Sequence, residues 1–196
     1  MNLTESCVFY EKHSPIEYGV LGDTYVFANE EEFEETYIEM ETGEEKTRTA
    51  YRYDIAKVPV KYKTEEEVIA NLKEQKLNEI TEYDTSSNVN GFSLNGTDAW
   101  LDRDTRVSLM NSTTIEKSSG KTTTTLWFGS MKIDVGVDKA IDLLSGLEMY
   151  ALECYNKTAE HKNNVEALTA IDDIVSYDYT KGYPEKLEIN TGFLEE

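Results

Sequence analysis

The chain has 196 residues, which suits one ordinary domain or two small ones, and its 39% hydrophobic content with 13 Tyr, 6 Phe and 2 Trp excludes a disordered acidic tail. The 39 acidic against 19 basic residues give a formal net charge of −20, which opposes binding to nucleic-acid phosphates and to anionic membrane surfaces. We interpret this charge as a solubility property. The alternative is that the acidic surface mimics DNA. The mixing of acidic and basic residues after residue 45 disfavours this alternative.

Residues 1–63 are predicted to form a β-rich attachment module. Short runs of strand-favouring residues lie at Cys7–Tyr10 and Thr24–Phe27. The acidic run Glu30–Glu35 fits two interpretations, one helical turn or the solvated beginning of a strand. The segment Met1–Tyr10 has no basic stretch followed by an apolar run, so we expect no secretory signal and synthesis in a cytoplasm.

A hairpin is predicted at the end of this module. Thr36–Glu41 and Lys46–Ile55 both alternate, and Gly43 supplies the turn between them. Because alternate residues of a strand point to one face, Tyr51 and Tyr53 share a face in the second arm. We regard these two tyrosines as candidate partner contacts.

The pattern changes at Thr64, where residues 64–196 are predicted to form an α+β domain. Thr64 to Glu67 has the form of a capping box, and helical spacing of apolar residues continues to about Tyr83. A hairpin follows around Asn95-Gly96, a strong signal for a tight turn with positive φ angles. The overall fold class predicted from the sequence is therefore α+β.

Trp100 and Asp102 mark the start of a second helix, which is expected to run to about Lys117. Asp102 is the predicted N-cap, Arg106 is placed one turn further to pair with it, and Trp100 is expected in the core. A second hairpin across Gly129 is predicted next. Its Trp127, between two other apolar residues, is expected to be at least partly buried.

A long helix is predicted from Val137 to about Tyr155 or beyond. Its apolar residues form a wide stripe: Ala140, Ile141, Leu144, Leu147, Ala151, Leu152 and Tyr155. Further helical spacing over Val165–Val175 belongs either to the same helix or to a new one capped by Thr169. An extended segment, Leu187–Ile189, follows.

The sequence offers no recognisable catalytic or metal-binding constellation. His13 and His161 lack Cys or His at ligand spacing and are interpreted as surface residues, while Cys7 and Cys154 are interpreted as buried free thiols. Nucleotide-binding glycine loops and the hydrolase nucleophile motif are missing from the sequence. We therefore expect no cofactor and no enzymatic activity.

The segment from Tyr177 to Pro184 is unusually rich in tyrosine. Tyr177, Tyr179 and Tyr183 form either a clasp that closes over the core or a surface patch that faces a partner. Both interpretations remain open, and all three tyrosines are candidate partner contacts.

Three parts of the chain together resemble a phage and prophage domain of unknown function, found in or near tail-fibre-associated and other virion proteins. The resemblance covers about Leu72 to Leu187. It is carried by EITEYDTSSNVNGFSLNGTDAWLDRDTR (Glu79–Arg106), by YALECY (Tyr150–Tyr155) and by IDDIVSYDYTKGYP (Ile171–Pro184). It carries over no catalytic residue, and residues before Thr64 lie outside it.

What the resemblance implies is a non-enzymatic structural protein of a phage virion, in the tail, the tail fibre or the head decoration. Its expected partners are other phage structural proteins in an oligomeric assembly, without direct contact to nucleic acid or membrane. The alternatives are an assembly chaperone for a tail fibre that is not itself in the virion, and an acidic inhibitor of a host defence enzyme.

Overall fold

The computed structural model describes residues 4–18, 22–58 and 64–190. Helices account for 41% and strands for 33%, and the strand-rich N-terminal region precedes helices that include a long one near the C-terminus. The predicted α+β class is therefore confirmed.

The N-terminal region forms one antiparallel sheet. Its strands are β1 (Thr4–Phe9), β2 (Ile16–Tyr18), β3 (Thr24–Ile38) and β4 (Glu45–Val58), in the spatial order β1-β4-β3-β2. The predicted hairpin is formed by β3 and β4.

The acidic run Glu30–Glu35 lies inside β3, so the interpretation as a helical turn is wrong. A register shift separates Ala28 from Glu31, and Asn29 has a φ of 55° there, which is the geometry of a β-bulge. The run stays extended because Glu31 and Glu35 lie opposite Arg52 and Arg48 of β4.

The helices are α1 (Glu65–Asp84), α2 (Arg103–Ser118), α3 (Val137–Ala167) and α4 (Ile171–Ser176). The predicted capping box begins α1: the amide of Glu67 donates to Thr64 Oγ1, and the amide of Thr64 donates to Glu67 Oε2, both at 3.3 Å. The long helix α3 continues to Ala167. The following helix α4 is separate, and its N-cap is Ala170 rather than Thr169.

Short strands lie between the helices: β5 (Phe92–Leu94), β6 (Thr97–Ala99), β7 (Thr123–Phe128), β8 (Met131–Gly136) and β9 (Leu187–Ile189). Both predicted hairpins, β5–β6 and β7–β8, are present. Asn95 and Gly96 have φ angles of 52° and 77°, which is the type I′ geometry that their sequence favours. Strand β9 pairs with β5 in parallel.

The contacts divide the chain into two compact units. Unit 1 contains Met1–Glu79 and Lys162–Asp178, and unit 2 contains Ile80–His161 and Tyr179–Glu196. This division differs from the two modules expected on either side of residue 63, because the first part of α1 and all of α4 belong with the N-terminal sheet.

The core of unit 1 joins the sheet to α1 and α4. Buried side chains of β3 and β4 pack with Val68 and Leu72 of α1 and with Ile171, Ile174 and Val175 of α4. A second group in this unit is aromatic: His13 stacks on Phe27 at 4.4 Å between ring centroids, and Tyr53 meets Phe27 edge to face at 5.6 Å. The expected surface position of His13 is therefore only half correct, because its ring is partly covered.

The core of unit 2 is built from the short strands and α3. Its buried residues are Phe92, Leu94, Leu101, Leu126, Phe128, Val135, Ala140, Leu143, Leu144 and Leu147. Trp127 is only partly buried, the least that its apolar neighbours led us to expect, since 54% of its surface is exposed. Leu126 and Phe128 take the inward face of β7, and the two-residue period of a strand then directs Trp127 outward.

Candidate functional site

A cleft of about 570 Å³ opens in unit 2 and combines exposed aromatic residues with charged ones. Four segments contribute to its walls: the end of α1, the loop that precedes β5, the start of α2 and the middle of α3. Unlike the two cores, this surface leaves large apolar side chains open to solvent.

The start of α2 is fixed by Asp102, as predicted. Its Oδ1 accepts a 2.8 Å hydrogen bond from the amide of Thr105, and its Oδ2 accepts one of 2.6 Å from the Thr105 hydroxyl. These hydrogen bonds favour the carboxylate and lower the pKa of Asp102. The cap holds Arg103 and Arg106 at the cleft.

Arg106 is buried at the base of the cleft, with only 8% of its surface exposed. Its Nε donates to Glu148 Oε1 of α3 at 3.1 Å, and its Nη1 donates to the carbonyl of Leu101 at 2.6 Å. The predicted ion pair with Asp102 is therefore wrong. The hydrogen bonds from Thr105 engage Asp102, and the Arg106 side chain turns toward α3 instead.

Helix α3 presents Glu148, Ala151, Leu152 and Tyr155 to the cleft. The wide apolar stripe predicted for this helix is only partly correct, because Leu152 is 57% and Tyr155 is 60% exposed. The buried stripe of α3 consists of Ala140, Leu144, Leu147, Ala151 and Cys154. Leu152 lies roughly a third of a turn from its centre, and that offset was readable from the sequence.

Trp100 borders the cleft on the other side and is 39% exposed, so it is not the core residue that its sequence context suggests. It also lines a second hollow of about 510 Å³, together with Tyr150, Pro184 and Lys186. Its indole is therefore accessible from two depressions of the surface.

The loop that precedes β5 is held closely against α3. A Cβ at position 91 would lie 2.6 Å from the carbonyl oxygen of Ser87. Glycine at this position therefore lets the backbone of residue 91 lie close to the backbone of Ser87, which a larger residue would prevent. Tyr150 donates from its hydroxyl to the Gly91 carbonyl at 3.1 Å, and burial raises the pKa of Tyr150 to about 12. This hydroxyl therefore remains a donor at ordinary pH.

Asn90 in the same loop has a buried Oδ1 with no hydrogen-bond partner among the described residues. Its φ is 62°, a left-handed conformation that Asn tolerates better than most residues. One residue that lines the cleft thus has a side-chain oxygen without a hydrogen bond among the described residues.

Tyr179 and Tyr183, two of the candidate contacts, pack on Tyr83 of the same unit, with ring centroids 5.5 and 5.8 Å away. The Tyr183 hydroxyl lies 2.9 Å from Thr158 Oγ1, which in turn donates to Asp84. Burial raises the pKa of Tyr183. Both rings are half-buried, as the clasp interpretation expects, and their role toward a partner stays a prediction.

The other candidate contacts lie in unit 1. Tyr177 is half-buried and accepts a hydrogen bond from Asn164 at 3.2 Å, while Tyr51 is half-buried on β4. Tyr53 is only 1% exposed, and its hydroxyl bonds to Glu30 and to the amide of His13. A side chain this deeply covered presents no surface to a partner, so Tyr53 is a core residue.

His161 also differs from expectation, since it is 4% exposed rather than a surface residue. Its Nε2 lies 2.9 Å from the carbonyl oxygen of Lys181, so this nitrogen carries a proton and donates. Cys7 and Cys154 are both free, with Cys154 buried and Cys7 half-buried. Burial raises the pKa of the Cys154 thiol, which keeps it protonated and unreactive.

Within residues 4–18, 22–58 and 64–190, no group of three or more His, Cys, Asp or Glu is placed to hold a metal ion. No helix in this described part combines the length and the apolar character needed to cross a bilayer.

Comparisons with protein-family profiles, with curated proteins and with solved structures each found no match. The resemblance to a phage domain therefore stays a prediction from the sequence.

Proposed function

We propose that the protein is a non-enzymatic structural component of a phage particle and that the cleft beside Trp100 is a binding surface for another phage protein. The observation that carries the proposal is the exposure of Trp100, Leu152 and Tyr155 around one concave surface. Exposed large apolar side chains that share a depression are typical of protein-binding sites, and Trp and Tyr are enriched among the residues that contribute most to binding.

The fixed base of the cleft supports the same proposal. Arg106 is held by Glu148 and by the Leu101 carbonyl, and Asp102 is held by Thr105. A preorganised surface loses little conformational entropy when a partner binds. The net charge of −20 favours a protein partner over a nucleic acid, whose phosphates the chain repels.

The phage setting rests on the resemblance carried by Glu79–Arg106, Tyr150–Tyr155 and Ile171–Pro184. Two of these segments contribute directly to the cleft, through Trp100 to Arg106 and through Tyr155. The part of the sequence that carries the resemblance is thus also the part that forms the proposed surface.

Mass spectrometry of particles purified from the strain that carries the gene tests the proposal. The protein is expected at a constant ratio to the known structural proteins, and its consistent absence would contradict a structural role. Retention of Trp100→Ala/Leu152→Ser in particles can be compared with that of Ile115→Ser, which also removes an exposed apolar side chain of unit 2. The double variant is expected to be lost from particles while Ile115→Ser is retained.

The assembly-chaperone alternative gives a different pattern in the same experiment. A chaperone is abundant in infected cells and absent from finished particles, and a tail fibre produced without it fails to fold. If the fibre folds equally well with and without this protein, the chaperone alternative is excluded.

A further inference from the structure

The hairpin of unit 1 extends beyond the strands that flank it. Pairing with β1 ends at Phe9 opposite Tyr51, and pairing with β2 ends at Ile16 opposite Val26. Further along, β3 and β4 pair only with each other among the strands that the structure describes. We call Glu31–Ile38 with Glu45–Arg52 the arm, and Tyr51 and Arg52 at its base also pair with β1.

One face of the arm is electrically balanced. It contains all three basic side chains of the arm, and each is paired: Arg52 with Glu31 at 2.5 Å, Arg48 with Glu35 at 2.7 Å, and Lys46 at 2.5 Å with Glu39, which follows the arm. The guanidinium of Arg48 also lies over the rings of Tyr10 and Tyr37. The polar and aromatic groups of this face are therefore used within the chain.

The opposite face, which we call the acidic face, differs in charge. The cross-strand register places these residues on it: Glu32, Glu34, Thr36, Ile38, Glu45, Thr47, Thr49 and Tyr51. No position of this described face is Lys or Arg, and its three glutamates are exposed. Ile38 is 70% exposed, and Met40 in the adjoining turn is fully exposed.

Along the arm, no strand of the described residues pairs with the outer edge of β3. A strand edge carries a row of backbone N–H and C=O groups able to pair with another extended chain. Alternate residues of a strand are about 7 Å apart, so side chains at every second position of an added strand lie beside Glu32, Glu34 and Ile38.

We infer that the open edge of β3 binds an extended segment of a partner protein in which Lys or Arg alternates with other residues. The backbone of the segment extends the sheet, its basic side chains lie beside Glu32 and Glu34, and an apolar side chain lies beside Ile38. A second copy of the chain does not fit, because it would place carboxylates beside carboxylates. This inference concerns residues of unit 1 and does not depend on the Trp100 cleft.

The probe is a short peptide that alternates lysine with valine except at the position beside Ile38, where leucine replaces lysine. Its binding to the full chain is measured by fluorescence anisotropy. The test variant is Glu32→Gln/Glu34→Gln/Glu45→Gln. The matched control, Glu153→Gln/Glu185→Gln/Glu188→Gln, removes the same charge from exposed positions of unit 2. We expect the test variant to weaken binding about tenfold, because Glu32 and Glu34 each lose a cross-strand pair and Glu45 of β4 loses a nearby charge, and the control to weaken it less than about twofold.

Peptides of unchanged charge separate strand addition from diffuse attraction. The probe is prepared with N-methyl groups at every second residue, in both registers, and at least one register is expected to lose binding because methylation removes backbone donors. Backbone NMR shifts on addition of the unmethylated probe are expected to concentrate in the arm. Equal weakening by both triple variants, full binding by both methylated peptides, or shifts spread over the acidic surface of both units would overturn the inference.

Discussion

Arg106 of α2 and Glu148 of α3 are joined by a hydrogen bond of 3.1 Å between Nε and Oε1, and the same guanidinium donates to the carbonyl of Leu101 at 2.6 Å. One buried side chain thus connects two helices with the residue that precedes the N-cap of α2. The shape of the proposed binding cleft depends on this connection.

Replacement of this side chain is expected to destabilise unit 2. Arg106→Met leaves the Leu101 carbonyl without its donor and Glu148 without its partner, so the free energy of unfolding should fall by about 2 kcal/mol. Chemical denaturation measures this change. The control Arg103→Met alters an exposed arginine of the same turn and should change stability by less than about 0.5 kcal/mol. An equal effect of both variants would contradict the assigned role of Arg106.

The assignment of α4 to unit 1 predicts the effect of a substitution far along the chain. Ile174 is fully buried among residues of β3, β4 and α1. Ile174→Ala should therefore destabilise the fold by about 3 kcal/mol, through lost burial and a cavity. Hydrogen exchange should accelerate in β3 and β4, while the exposed Asp173→Ala should leave it unchanged. Unaltered protection of the sheet in Ile174→Ala would argue against this assignment.

The cap of α2 predicts a dependence of stability on pH. Hydrogen bonds from Thr105 lower the pKa of Asp102 below 3.8, so the carboxylate contributes stability above that value and loses it as the pH falls through the folded-state pKa. Asn also caps helices but does not titrate. The melting temperature of the wild type, relative to Asp102→Asn, should therefore fall below about pH 4. A difference that stays constant from pH 6 to the acid limit would contradict the cap.

The exposure of both tryptophans is directly measurable. Trp100 is 39% and Trp127 is 54% exposed, so acrylamide should quench the fluorescence of both efficiently. The variants Trp100→Phe and Trp127→Phe each leave one indole, and the indole at 127 should be quenched more strongly than that at 100. Strong protection of Trp127 would contradict the outward position of its side chain on β7.

Local signals in the sequence predicted much of the fold. The capping box at Thr64, the Asn95-Gly96 turn and the Asp102 cap each depend on residues close together in the chain, and all three are present. These features are predictable because their geometry is determined by a few adjacent side chains.

Features that depend on distant residues were not predictable in the same way. The acidic run in β3 stays extended because arginines of β4 lie opposite it, and β9 joins β5 although many residues separate them. The partner of Arg106 was also missed, since Glu148 is 42 positions away. For the cleft, the sequence supplied Trp100 and Tyr155 but assigned Trp100 to the core and Tyr155 to the apolar stripe of α3, because apolar character alone does not show how exposed a side chain is.

The most direct test of the proposed binding surface is photo-cross-linking within assembled particles. A photoreactive amino acid at position 152, beside Trp100 and Tyr155, should form a cross-link to one defined protein of the particle. The same amino acid at position 115, near the other end of α2, should not. When Trp100→Ala is added, the cross-link at position 152 should be lost. No cross-link at position 152, or the same cross-link from positions 152 and 115, would contradict the proposed binding surface.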